Sequence, residues 1–197
     1  HISRRKCKMW VKIIVASIPA GVVGILWDDV FTKYFYNYQT VAIMLILVGV
    51  VFIIIERSNK NKIAKIDSID DISYGQAFLI GVFQMIAAIF PGTSRSGSTI
   101  VGSLMLGISR TAAAEFTFFL AVPAMFGGSA IKILKYNGGF NSAEVALLAI
   151  GMIVAFVLSI IAIKFLMSYI KKHDFKVFGW YRIILGIAVI GYFLAAR

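Results

Sequence analysis

The sequence predicts an all-α, polytopic integral membrane protein. It would have about five spanning helices and one re-entrant helix–loop–helix. Three observations carry this. Of 197 residues, 60% are hydrophobic and only 15% charged, with a mean hydropathy of +0.88; a soluble domain is nearer half apolar and a quarter charged. The apolar residues fall into runs long enough to cross a bilayer. One polar island, Pro91-Gly92-Thr93-Ser94-Arg95-Ser96-Gly97-Ser98-Thr99, interrupts apolar sequence on both sides.

The net charge of +11 would suggest nucleic acid in a soluble protein. Here the basic residues cluster at the ends of apolar runs, so membrane orientation and contact with anionic lipid account for them, with no nucleic acid. Cys7 is the sole cysteine, which excludes an internal disulfide and a thiolate metal site. His1 and His173 lie outside the apolar runs. The chain does not begin with methionine, which suggests a fragment of a longer protein.

Trp10–Trp27 is the first predicted span, with a tryptophan at each border and Lys12 placed to snorkel outward. Pro19, Gly21 and Gly24 would kink it or admit a neighbouring helix. The basic flank Arg4-Arg5-Lys6-Cys7-Lys8 looks like a signal peptide's, but the run after it is too long and lacks a cleavage pattern. An aromatic interfacial loop holding Asp28, Asp29 and Lys33 is expected next. Val41–Ile55 is the second span, followed by a solvated hydrophilic loop, Glu56–Ser73. Its acidic end (Asp67, Asp70, Asp71) matches no calcium-loop spacing.

Tyr74–Phe90 reads as one helical segment and Ser98–Gly107 as a shorter one. Gln84 lies two turns before Pro91, so its amide either shares the side of the loop or is a buried group satisfied by a neighbouring helix. The span Phe116–Lys132 follows, with Pro123 and Gly127-Gly128 expected to break its regularity. Arg110 and Glu115 precede it; Arg110 reads as an interfacial charge, and Glu115 either pairs with a cation or has a function. Tyr136–Ser142 is a short loop, Val145–Leu166 a long span, 171–176 a basic loop exposing His173, and Trp180–Phe193 the last span, with Arg182 near its entry.

The island alone reads either as an extramembrane turn or as a broken segment at membrane depth. Counting charges decides. Four Lys/Arg precede Trp10, four lie in Glu56–Ser73 and four in 171–182, against one in 28–39. All three basic regions reach the cytoplasmic side only if 74–110 crosses an even number of times. Ser98–Gly107 makes only about 15 Å of helix, about half the hydrocarbon thickness. Residues 74–109 are therefore expected to enter and leave on one face, within a single membrane domain spanning 1–197.

Such a loop aims a helix N-terminus, with its unpaired N–H groups and positive dipole end, at the membrane interior. Arg95 adds a forked donor suited to phosphate. Ser94, Ser96, Ser98 and Thr99 add hydroxyls, Thr93 another, and Gly92 and Gly97 allow close backbone approach. A phosphate or pyrophosphate site is expected. The residues do not separate binding, transport and hydrolysis, and the loop holds no histidine or carboxylate to act as base.

Gln84 with the 91–99 island resembles the signature of the BacA/UppP-type bacitracin-resistance family of undecaprenyl-diphosphatases. The block from Ser109-Arg110-Thr111 to Ala121-Val122-Pro123 is similar to that family's next block, and the resemblance runs from about Trp10 to Phe193. It implies a bacterial plasma-membrane phosphatase built from inverted repeats with two re-entrant segments. That enzyme converts undecaprenyl diphosphate to undecaprenyl phosphate, recycling the carrier lipid for peptidoglycan synthesis, at a site open to the outer face. By resemblance Arg95 clamps the diphosphate while Ser94, Ser96 and Thr99 bond its oxygens. Gly92, Thr93, Gly97, Ser98, Gln84 and Glu115 complete the substrate site. Polyprenyl diphosphate, membrane lipids and a second copy in a homodimer are the implied partners. A divalent metal, Mg or Ca, is implied as cofactor, its ligands mainly in a glutamate-rich N-terminal segment that this sequence lacks. The chain alone is accordingly expected to be inactive or poorly folded. A transporter or flippase for a phosphorylated polyprenyl lipid is the competing reading, since broken helices and inverted repeats also build transporters.

Overall fold

The structure, a computed structural model, describes residues 4–60, 62–136, 138, 139 and 141–196. His1 lies outside them, as does the side chain of Asp28. Among the described residues seven α-helices follow in order: α1 (Arg4–Phe35), α2 (Tyr38–Asn59), α3 (Tyr74–Ile89), α4 (Arg95–Met105), α5 (Arg110–Lys135), α6 (Ser142–Ile170) and α7 (Lys176–Ala195). A single 3₁₀ turn, Ile69–Asp71, precedes α3. Five helices, α1, α2, α5, α6 and α7, are long and apolar enough to cross a membrane. Their large apolar side chains are widely exposed, and α6 shows such side chains along its length. That is the surface of a protein whose solvent is lipid.

The helices outrun their apolar cores. α1 does not stop at Trp27: residues 28–35 contain neither proline nor glycine and continue the helix to Phe35, so the expected aromatic loop shrinks to Tyr36 and Asn37. Asn37 then caps α2, its side chain accepting the Thr40 N–H at 2.8 Å. α5 starts at Arg110, with Ser109 as cap, rather than at Phe116. α6 starts at a capping box formed by Asn141 and Glu144. Pro19 and Pro123 sit inside α1 and α5, which run on through them. A break there would strand backbone groups in hydrocarbon, which costs more than the one hydrogen bond a proline removes. Gly21 and Gly24 meet no neighbour; the close approach on α1 is made by Ala16, whose carbonyl lies against Gly81 of α3.

α3 and α4 form an antiparallel hairpin whose two ends meet. Lys65 donates its N–H to the Gly107 carbonyl at 2.9 Å, and Ser109 donates to the Ile66 carbonyl at 2.8 Å. One apolar cluster ties α3 to α1 and α5 through Ile13, Ile80 and Phe116. A second ties α4 to α2 and the start of α7 through Phe52, Val101 and Phe175. The shortest helix is thereby the most enclosed, with Gly97 through Leu104 all buried.

The three basic regions gather at the end of the molecule where the hairpin is rooted. Arg5 pairs with Asp70, Lys12 donates to the Asp70 carbonyl at 2.5 Å, and Lys62, Lys65 and Lys171 border one cavity. Lys12 does not snorkel outward: the 3₁₀ turn covers it, leaving it 7% exposed. At the opposite end, the loop between α3 and α4 reaches the junction of α1 and α2. There the rings of Phe35 and Phe90 pack with centroids 4.8 Å apart. A Cβ on Gly92 would lie 2.5 Å from the Val41 carbonyl oxygen, and Gly92 has φ +87°, so this position takes glycine on both counts.

Candidate functional site

The 91–97 loop is built around Ser94. The structure starts α4 at Arg95, not at Ser98, because Ser94 is its N-cap and accepts the Gly97 N–H at 3.2 Å. The Ser96 hydroxyl lies 3.2 Å from the Ser94 hydroxyl. An N-cap normally sits in the extended region, as Asn37, Ser73, Ser109 and Asn141 do here. Ser94 has φ 61° and ψ 121°, the sole positive φ among the described non-glycine residues. Such a conformation costs about 1–3 kcal/mol and persists where the surroundings over-determine it, which is the habit of functional sites. Among the described residues the N–H groups of Arg95 and Ser96 have no acceptor, as a helix start requires for anion binding.

A cavity of about 420 Å³ opens on this turn. Ser94, Ser96, Gly92 and Gly97 form one wall, and Thr117 of α5 and Tyr181 and Arg182 of α7 supply further polar groups. The remaining wall is apolar, including Leu45, Phe118, Leu166 and Phe178. Polar atoms are thus concentrated at the loop end of an otherwise greasy chamber.

The other expected site residues are placed differently. Arg95 stands half-buried between two lining serines, outside the cavity wall, and its guanidinium has no hydrogen-bond or ion-pair partner among the described residues. Thr99 is 1% exposed and faces α5. Its hydroxyl lies 3.0 Å from that of Thr117 and 3.1 Å from the carbonyls of Arg95 and Ser96, so it braces the turn and is closed to ligand. Ser98 is buried and outside the cavity wall. Thr93 is 1% exposed, and its hydroxyl is a buried polar atom with no partner among the described residues. Gln84 is buried on α3 outside the cavity wall, and its side-chain amide makes no hydrogen bond among the described residues. Glu115 is half-buried on α5, outside the cavity wall and without an ion pair among the described residues.

Two groups stand out that the chain's order conceals. Glu56 belongs to α2 and not to a solvated loop; it is 1% exposed. It accepts two hydrogen bonds of 3.0 Å from Arg110 Nε and one of 2.5 Å from Nη2, and the Phe175 N–H donates to it at 3.1 Å. Arg110 is therefore the partner of a buried carboxylate, while its own side chain stays 37% exposed. Arg182, near the entry of the predicted last span, lies in α7, and Nη1 donates to the Thr93 carbonyl at 3.1 Å. The only signal for either in the sequence is an ionisable residue bordering or inside an apolar run.

A sequence model of the family described as bacitracin resistance protein BacA matches residues 1–188. An undecaprenyl-diphosphatase of Desulfitobacterium hafniense is 62% identical over 194 residues, covering 98% of this chain and 70% of that protein. Undecaprenyl-diphosphatase 1 of Clostridium acetobutylicum is 59% identical, covering 98% of this chain and 71% of that protein. An undecaprenyl-diphosphatase of Enterococcus faecalis is 57% identical over 96% of this chain and 68% of its own length.

Proposed function

The chain belongs to the family of the bacitracin resistance protein BacA, and on that premise we propose that it acts as an undecaprenyl-diphosphatase. Its substrate is a polyprenyl diphosphate in the bacterial plasma membrane. The bond between the terminal phosphorus and the bridging oxygen breaks, water supplies the new oxygen, and undecaprenyl phosphate and phosphate leave. The observation that carries this reading is the strained Ser94 cap. It sets two serine hydroxyls in the wall of a chamber whose other walls suit a hydrocarbon tail, at a helix start with two unpaired N–H groups among the described residues. Arg95, without a partner among the described residues, supplies positive charge beside that turn.

With the basic end in the cytoplasm, residues 74–109 enter and leave on the cytoplasmic face while their tip approaches the outer face. That arrangement supports substrate taken from the outer leaflet. The cavity does not suit a divalent metal on its own. Hydroxyls and one arginine line it, no carboxylate does, and no group of three His, Cys, Asp or Glu capable of holding an ion occurs among the described residues. The reading therefore assigns this chain's residues to binding and charge neutralisation and routes no step through a metal.

The test is phosphate release from undecaprenyl diphosphate in detergent micelles by the protein and by Arg95→Ala. Release that falls about 100-fold or more in the variant supports the reading. Release indifferent to Arg95 overturns it. Lipid translocation without phosphate release identifies a flippase instead, a reading favoured by the helix broken at the hairpin tip.

A further inference from the structure

Arg182 is the single charged side chain in the wall of the Ser94 cavity. It sits inside a helix that crosses the membrane, where an ionisable residue calls for a named partner. The partners present are incomplete. Nη1 donates to the Thr93 carbonyl, and the guanidinium carbon lies 5.9 Å from the centre of the Phe52 ring. No carboxylate balances it: the ion pairs among the described residues are Arg5–Asp70, Arg110–Glu56 and Lys176–Asp174. A guanidinium carries five donors, and here one is used. Nη2 lies at the first turn of α4, 3.1 Å from where a Cβ on Gly97 would stand. Glycine at that position leaves room for the fork beside the serine hydroxyls.

We propose that Arg182 is a substrate-binding residue that holds a phosphate of the polyprenyl diphosphate headgroup from α7, beside the loop whose Thr93 carbonyl it already engages. This rests on the reading of the cavity as the diphosphate site. The Thr93 bond fixes one side of the fork, leaving Nη2 and Nε for phosphate oxygens, the bidentate geometry in which arginine excels. The bound headgroup then lies against both Arg182 and the Ser94–Ser96 turn. Its charge is balanced by Arg182 on α7 and Arg95 on α4, and its tail runs along Phe118 and Phe178. Gly49 and Gly179 bring α2 and α7 together beside Arg182, with a Cβ on Gly49 only 3.3 Å from that of Arg182.

The experiment compares wild type, Arg182→Ala, Arg182→Gln, Arg182→Lys and Arg95→Ala in micelles. It reads the Kd for undecaprenyl diphosphate, the Kd for inorganic pyrophosphate, the KM and kcat of phosphate release, and the thermal midpoint. Loss of hydrogen bonds to a charged group predicts a rise of about 10- to 100-fold in Kd and KM for Arg182→Ala. The midpoint is expected to hold or rise, since an unbalanced, half-buried charge is removed. Arg182→Lys keeps the charge without the fork and is expected to fall between. An unchanged Kd and KM, or a fall in midpoint with affinity intact, overturns the proposal in favour of a purely structural role. If Arg182→Ala does not fold, Gln against Lys decides: weaker binding by Gln supports the proposal and equal binding overturns it. Binding lost in Arg95→Ala but kept in Arg182→Ala sinks this inference alone. A wild type that binds neither lipid nor pyrophosphate sinks it together with the reading of the site.

Discussion

Two arginines, Arg110 and Arg182, border the same pair of helices, α2 and α7, and have opposite surroundings. Arg110 meets a carboxylate: Glu56, 1% exposed, takes its Nε and Nη2 and also the Phe175 N–H, closing a junction between α2, α5 and the start of α7. Arg182 meets a carbonyl and an aromatic face, and its remaining donors look into a cavity. The first arrangement is complete without a ligand. The second is complete only with an anion. The comparison teaches that burial of a charge does not by itself mark a site; an unbalanced charge beside a cavity does.

The largest effect should come from opening the complete junction. Arg110→Ala leaves Glu56 buried with a single N–H donor, and orphaning a buried ion costs about 3–5 kcal/mol. Thermal unfolding in detergent should show a marked drop in midpoint, whereas Arg182→Ala should show none. Equal drops would erase the distinction. The next effect sharpens it by moving α7 without touching a charge. In Gly49→Ala the new Cβ would stand 2.7 Å from the Gly179 carbonyl oxygen and 2.8 Å from Ile183 Cγ1. Overpacking of this kind costs about 1–3 kcal/mol. Because it also displaces Arg182, the variant should lose diphosphate affinity along with stability, while Arg110→Ala should lose stability first.

How much of this the sequence discloses depends on how far apart the partners lie. The spans were legible, since hydropathy and a fixed rise per residue act locally. So were the hairpin, from a proline and two glycines in an apolar run, and the pairing of its ends on the basic side, from charge counting. The lengths of α1 and α5 were not, because Asp28–Phe35 and Arg110–Glu115 are polar enough to resemble loops and yet compatible with helix. Glu56 finds its arginine 54 positions away and Arg182 its carbonyl 89 positions away, distances over which periodicity says nothing. The direction of Thr99 hung on one backbone angle at Ser94, which sets where α4 begins. A serine permits either start, and its neighbours in space decide.

Thr99 offers a smaller test of the loop end. Thr117→Val removes the hydroxyl that pairs with Thr99 at 3.0 Å and keeps the volume. Thr99 retains the carbonyls of Arg95 and Ser96, so the cost is that of one neutral hydrogen bond, about 0.5–1.5 kcal/mol. Thr117 also lines the cavity, so a variant with near-normal stability and a raised KM would give this hydroxyl a share in binding. A normal KM would confine it to bracing the turn.

The smallest effect lies beside the complete junction, in the turn before α7. Burial raises the Asp174 carboxyl's affinity for protons. Hydrogen bonds from the Lys176 ammonium and backbone N–H, with the charges of Lys176 and Arg110, outweigh that and hold the group below its ordinary value of 3.8. A carboxyl whose folded pKa is depressed contributes stability that is fully present above its unfolded pKa and is lost as pH falls through its folded one. Asp174 should therefore leave stability flat near neutrality and begin to subtract from it below about pH 4. Partly exposed pairs of this sort are worth less than about 1 kcal/mol. Asp174→Asn should shift the midpoint at pH 7 down slightly and flatten its decline on acidification. Salt should shrink the difference between the two proteins at pH 7, because the pair is half in water. The junction of Glu56 and Arg110, shielded at the carboxylate, should resist the same salt; if both respond equally, Glu56 is open to water and the contrast between the two arginines narrows.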